Sequence, residues 1–214
     1  NPALFANFKR LRLNIITAAD SAFVALERWD ACASPPAELE AGDPIFAGLD
    51  LSTVDDLSAL VWIKGDVHEG FDVYAQFFLP MEGIEELEVR HQVPYREWAK
   101  AGLITLTPGN VVDYRWIRKR IQELAAGYDL RKLFVDRHQA LDLCLTLRDE
   151  DGVAVEFFSQ AMQSVTVPTR ELLRLILSER LRHGANAVLR WNTSNAVAVR
   201  DSNGNLKIDK NRPR

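Results

Sequence analysis

The chain has 214 residues, of which 47% are hydrophobic and 26% charged, and its 26 Lys and Arg against 30 Asp and Glu give a formal net charge of -4. That composition is globular and excludes general disorder, while the mild acidity excludes a broad positive field, so any contact with a polyanion has to be local. No stretch approaches the roughly 18 apolar residues of a membrane helix, and the N-terminus lacks the layout of a signal peptide.

In chain order, residues 3 to 31 scatter Leu4, Phe8, Leu11, Ile15, Phe23 and Trp29 at mixed spacing, which predicts a helical or partly extended lead-in. Ser34-Pro35-Pro36 and Gly42-Asp43-Pro44 break regular structure, so residues 32 to 44 read as linker and the main domain starts at Ile45. Ile45 to Leu51, Ser58 to Lys64 and Phe71 to Leu79 are β-rich and bounded by Gly, Asp or Pro, predicting three strands in an antiparallel meander. A helix is expected within residues 83 to 100, then a short strand from Leu103 to Leu106 and a Thr107-Pro108-Gly109 turn. Asp113 to Ala126 sets Trp116, Ile117, Ile121 and Leu124 at helical intervals.

Further on, Lys132 to Val135 reads as a buried strand, Leu141 to Leu147 as a helix and Val153 to Phe157 as a strand. Pro168 to Leu181 reads as a helix with proline in its first turn. Leu189 to Ile208 has β character, with a hairpin turn at Ser202-Asn203-Gly204-Asn205. Strands first and strand-helix alternation afterwards predict an α/β fold, a mixed sheet flanked by helices. Cys32 and Cys144 lie far apart without metal-type spacing and read as buried thiols, which suits a reducing compartment.

Two strands deliver an acid. Gly48-Leu49-Asp50-Leu51-Ser52 places Asp50 between large apolar residues, where a carboxylate has to be paired, hydrogen-bonded or metal-bound. Leu133-Phe134-Val135-Asp136-Arg137-His138 ends another apolar strand on Asp136. A lone strand-end Asp also serves as a helix cap. Two on neighbouring strands, at the carboxyl ends where open α/β sheets bind ligands, would converge on a hard cation such as Mg²⁺ or Mn²⁺. Asp55 and Asp56 follow in the next turn, either as solvated turn residues or, for Asp56, as an additional or supporting ligand. His138 either starts a helix or orients a water over the same site. Asp201 and Asp209 are the visible candidates within the chain for a third acid and read more readily as turn or chain-end residues, and His183 before Gly184 reads as a helix terminus. Arg115, Arg118, Lys119 and Arg120 on one helix and Arg170, Arg174, Arg180 and Arg182 on another are either solvated faces or grips for phosphates.

The ordered set of Gly48-Leu49-Asp50-Leu51-Ser52 with Asp56, Thr107-Pro108-Gly109-Asn110-Val111-Val112-Asp113, Val135-Asp136-Arg137, Phe158-Ser159-Gln160-Ala161-Met162 and His183-Gly184-Ala185-Asn186 through Leu189-Arg190-Trp191 to Asn195 resembles the C-terminal nuclease domain of the large terminase subunit of tailed bacteriophages and prophages. The resemblance covers residues 45 to 210 and makes residues 1 to 44 a connector from a preceding ATPase domain. It implies an RNase H-like fold and a divalent-metal-dependent endonuclease that cuts concatemeric double-stranded DNA in the host cytoplasm during genome packaging.

By motif position Asp50 and Asp136 carry over as catalytic metal ligands for two Mg²⁺ or Mn²⁺ ions, with Asp56 and His138 beside them. Arg118, Lys119, Arg137 and Arg174 are the candidate DNA contacts, and the small terminase subunit and portal protein the implied partners. The family's last acidic ligand is expected on a helix beyond the Asn203-Gly204-Asn205 hairpin, outside residues 1 to 214. No Gly-Lys-Ser or Gly-Lys-Thr phosphate loop occurs, so ATP hydrolysis is not expected of these residues. The competing readings are another RNase H-like nuclease, such as a resolvase or exonuclease, an actin-like ATP-binding module, and a non-catalytic packaging or docking module.

Overall fold

A computed structural model describes residues 22–52, 56–136, 141–201 and 203–209. The meander read from the sequence is its centre: β1 (Pro44–Asp50), β2 (Ser58–Asp66) and β3 (Gly70–Pro80) are consecutive antiparallel neighbours. To these are added β4 (Ile104–Thr107), β5 (Asp129–Val135) and β6 (Val155–Phe157), in the order β4-β3-β2-β1-β5-β6, with the two-residue β7 (Leu181–Arg182) beside the start of β3. Only β2 runs against the rest of that path, so β1, β3, β4, β5 and β6 all end at one edge of the sheet.

The helices are α1 (Leu26–Asp30), α2 (Ile84–His91), α3 (Tyr95–Lys100), α4 (Tyr114–Gly127), α5 (Leu141–Asp149), α6 (Met162–Leu177) and α7 (Ala187–Asn195). Alternation in β1 assigns them to faces. Ile45, Ala47 and Leu49 are buried against Ile117, Ile121 and Leu124 of α4 and Leu143 and Leu147 of α5. On the other face α2, α3 and α7 gather around Phe77 and Leu79, and α1 and α6 pack Trp29, Cys32, Leu175 and Ile176 against Leu181 and Phe71. Residues of the lead-in and linker therefore share a core with the sheet domain. Both cysteines are buried free thiols.

One expectation is refined and two are corrected. Residues 83 to 100 hold two helices because Pro94 interrupts the backbone ladder and Gln92 turns left-handed at φ 54° to close α2. The α6 helix begins at Met162, six residues before Pro168, which stands inside it. Proline forfeits one helical N–H bond there, but the first turn is already set by Ser164 and Val165 donating to the Ala161 carbonyl, and Pro168 is exposed. The helix stops at Leu177 because the Ser178 hydroxyl turns back onto the Arg174 and Leu175 carbonyls, and Leu181 enters β7 instead. Lastly, the segment from Leu189 is helical as far as Asn195, capped by the Asn186 side chain accepting from Val188 and Leu189 N–H. Only β8 (Val197–Arg200) and β9 (Leu206–Asp209) form the expected hairpin.

β7 is tied to β3 by a charge pair. Asp72, 5% exposed, accepts from Arg182 Nε at 2.6 Å and from the Ala37 N–H at 3.1 Å. Burial alone would push its pKa up, but the guanidinium and the amide outweigh it and the net shift is downward. Arg182→Ala leaves a buried carboxylate without its cation and is expected to cost about 2–4 kcal/mol in denaturant unfolding at neutral pH. A carboxylate depressed in the folded state stabilises above its ordinary value near 3.8, and that contribution fades as pH falls through the folded pKa. The wild type and the variant are therefore expected to converge in stability as pH falls through the depressed folded pKa of Asp72.

Candidate metal centre at the sheet edge

The β1–β5 register brings the two strand-end acids together. Leu49 pairs with Val135 in parallel, so Asp50, the last residue of β1, stands beside Asp136, one step past β5. Leu49 and Val135 face the α4–α5 core, which turns both acids to the opposite face. Neighbouring strands hold their Cα atoms about 5 Å apart. Both residues are half-buried, at the edge where β1, β3, β4, β5 and β6 end.

The chain leaving β1 is held at Ser52. The Ser58 hydroxyl accepts the Ser52 N–H at 2.9 Å and donates to the Ser52 carbonyl at 3.2 Å, and the Tyr114 hydroxyl donates to that carbonyl at 3.4 Å. Sequence reasoning passed over both residues. The available signal was a serine opening an apolar strand. Asp56, exposed on the return to β2, accepts the Leu57 N–H at 2.9 Å.

On the same face lies an apolar cavity of about 590 Å³, walled by Val61, Ile63 and Val73 of the sheet and Leu172 and Leu175 of α6, with Asp56 and Asp209 among its lining residues. Val61, one of its walls, pairs with Gly48, two residues before Asp50. Asp209 ends β9, and Asp201 is a turn residue that accepts from the Asn203 and Asn205 N–H groups.

The other candidates are spread out. Arg118 lies on α4, behind the sheet from the acids, and is engaged by Asp151 at 2.7 Å and Glu150 at 2.7 Å. The Arg118 guanidinium in turn holds the Asp151 carboxyl below its usual range. Lys119 is exposed on the same helix. Arg174 is exposed on α6, on the acids' side of the sheet, and pairs with Glu171 at 2.6 Å. Arg137 and His138 lie outside the described residues.

His183, expected at a helix terminus, is instead 3% exposed and stacked on Trp29 at 4.3 Å. Its Nε2 donates to the Trp29 carbonyl at 2.9 Å, which makes it a structural anchor of α1. Burial of the Trp29 ring supplied the reason, and the sequence around Arg182-His183-Gly184 carried no sign of it.

Two half-buried carboxylates at one register position fit a hard divalent cation, whose ligands are oxygens. Among the described residues no group of three or more His, Cys, Asp or Glu comes close enough to hold a metal.

A family model for the terminase large subunit, endonuclease domain, matches residues 1–214. The chain is 33% identical over 214 residues to the terminase large subunit of Enterobacteria phage HK97, covering 99% of this chain and 42% of that protein. It is 29% identical over 209 residues to protein YmfN of Escherichia coli strain K12, covering 92% of this chain and 46% of that protein. The chain thus spans less than half the length of these curated relatives.

Among solved structures, the HK97 bacteriophage large terminase matches with a TM-score of 0.80 at 32% identity, covering 98% of this chain and 44% of that one. The large terminase nuclease of thermophilic phage G20c with bound magnesium matches with a TM-score of 0.53 at 12% identity, over 89% of this chain and 88% of that one. The latter is a likeness of fold. The mixed sheet flanked by helices is the RNase H-like α/β fold of these nucleases.

Proposed function

From the premise that the chain belongs to the terminase large subunit, endonuclease domain family, we propose that it is a divalent-metal-dependent endonuclease that cuts concatemeric double-stranded DNA during viral genome packaging. The observation that carries this reading is the Leu49–Val135 pairing, which sets Asp50 and Asp136 side by side on one face at the sheet edge. The two carboxylates hold Mg²⁺ or Mn²⁺, in a two-ion arrangement completed by ligands beyond this pair. Bound ions of this kind activate a water and offset charge on the leaving oxygen of a phosphodiester.

The chain's own contribution is placement. The paired strands fix the two acids at one spacing, and the apolar α4–α5 layer behind them keeps the strands from shifting. Asp56 stands on the exposed return after β1, positioned to take an outer role at the same centre, and His138 is proposed to orient a water there. Arg174, Lys119, Arg118 and Arg137 are proposed contacts for the duplex backbone. Arg118 would have to exchange Asp151 and Glu150 for phosphate, which makes its gain smaller than that of an exposed cation. Residues 1 to 44 are proposed to lead from an ATPase domain. The small terminase subunit and the portal protein are the proposed partners, and the host cytoplasm the place of action. Among the described residues no helix is long and apolar enough to cross a membrane.

Supercoiled plasmid, linear duplex and a four-way junction, each incubated with Mg²⁺ or Mn²⁺, test the reading. Nicking and linearisation of plasmid and internal cuts in the duplex, all stopped by EDTA, are expected. Cutting confined to junctions or to duplex ends would replace the proposal with a resolvase or an exonuclease. Inertness of all three substrates with both metals would leave a docking module.

A further inference from the structure

Backbone pairing between β1 and β2 ends at Asp50 and Ala59. The next turn of chain is therefore held by something other than a ladder bond, although the residue to be held in place is the one bearing the carboxylate. Ser58 supplies the replacement. It is 0% exposed, and its single hydroxyl meets both polar groups of Ser52, accepting from the N–H and donating to the carbonyl. The half-buried Tyr114, the first residue of α4, reaches the same carbonyl from the α4 layer. Ser52 is thus tied to β2 and to α4 two residues after Asp50.

An apolar residue at position 58 would satisfy burial equally well but would take from Ser52 the acceptor for its N–H and leave its carbonyl only the longer bond from Tyr114. The hydroxyl therefore holds the path of the chain. Fixing Ser52 fixes the backbone direction through Leu51, which is itself buried at 5% exposure, and hence the direction of the Asp50 side chain relative to Asp136.

We infer that Ser58, assisted by Tyr114, is a positioning residue for Asp50, keeping its carboxylate in register with Asp136 for shared cation binding. The inference rests on the reading of Asp50 as a metal ligand. Supporting groups around metal ligands typically govern affinity by about 10- to 100-fold.

The test is Mn²⁺ binding to the 214-residue chain by calorimetry, for the wild type, Ser58→Ala, Tyr114→Phe and Asp50→Ala, with thermal unfolding in EDTA as the folding control. Ser58→Ala is expected to weaken Mn²⁺ binding roughly tenfold, and Tyr114→Phe, which loses the longer bond, by about threefold. The Mn²⁺ concentration for half-maximal nicking rises in parallel, while the rate at saturating Mn²⁺ stays near that of the wild type. A purely structural role would lower the unfolding midpoint and leave affinity alone.

Wild-type affinity in a folded Ser58→Ala would overturn the inference. Should Ser58→Ala fail to unfold cooperatively, Tyr114→Phe decides, and wild-type affinity there would overturn it. Undiminished Mn²⁺ binding by Asp50→Ala, or none by the wild type, would remove the metal-ligand reading and the inference together. Loss in Asp50→Ala alone would remove only the positioning role.

Discussion

Alanine at Asp50 or at Asp136 is expected to lower metal-dependent cleavage by about 10³-fold or more, the order seen when a group that stabilises developing charge is removed. The same variants should unfold in EDTA near the wild-type temperature, since the two acids stand at the sheet edge outside the α4–α5 core. Initial nicking rates at saturating Mn²⁺, set beside calorimetric Mn²⁺ affinity and the EDTA unfolding midpoint, separate the effects. Activity within tenfold of the wild type in either variant would break the pairing of the two acids as one centre. A fall in all three quantities together would assign them to the fold instead.

The legible part of the structure was the part governed by periodicity. Ile45, Ala47 and Leu49 alternate with more exposed neighbours because one face of β1 meets α4. Ile117, Ile121 and Leu124 recur at helical spacing because α4 turns one stripe to the same core. Those two patterns also carried the acids: an Asp following such a strand is visible, and its neighbour on the next strand follows from sheet order. Local rules failed where distant contacts decide. Pro168 suggested a helix start, but the preceding backbone turn nucleates α6 earlier. His183 beside Gly184 suggested a helix end, but its ring is claimed by Trp29, more than 150 residues away along the chain. Tyr114 makes sense only through Ser52, 62 residues earlier, and Ser58 through a side-chain bond to Ser52 that strand periodicity does not signal.

Gly70 is the other position where a small change is expected to have a large effect, and again the cause is a distant partner. It opens β3 at φ 87°, a region that L side chains avoid, and a Cβ added there would stand 2.4 Å from the Arg180 carbonyl oxygen. That carbonyl cannot step aside cheaply, since it accepts the Phe71 N–H at 2.9 Å as the chain enters β7. Gly70→Ala therefore combines a backbone penalty of about 1 kcal/mol with a collision against fixed main chain, and is expected to cost about 3 kcal/mol or more. In a domain of this size that lowers the melting temperature by roughly 6–12 °C.

Gly152 provides the control. It has a similar φ of 69° with nothing within 4 Å of an added Cβ, so Gly152→Ala isolates the backbone penalty at about 1 kcal/mol. The difference between the two variants measures the β3–β7 contact itself. Equal destabilisation would mean that Arg180 yields without cost, and that β7 rests on the Asp72–Arg182 pair and the Leu181 side chain in place of its main-chain fit to β3.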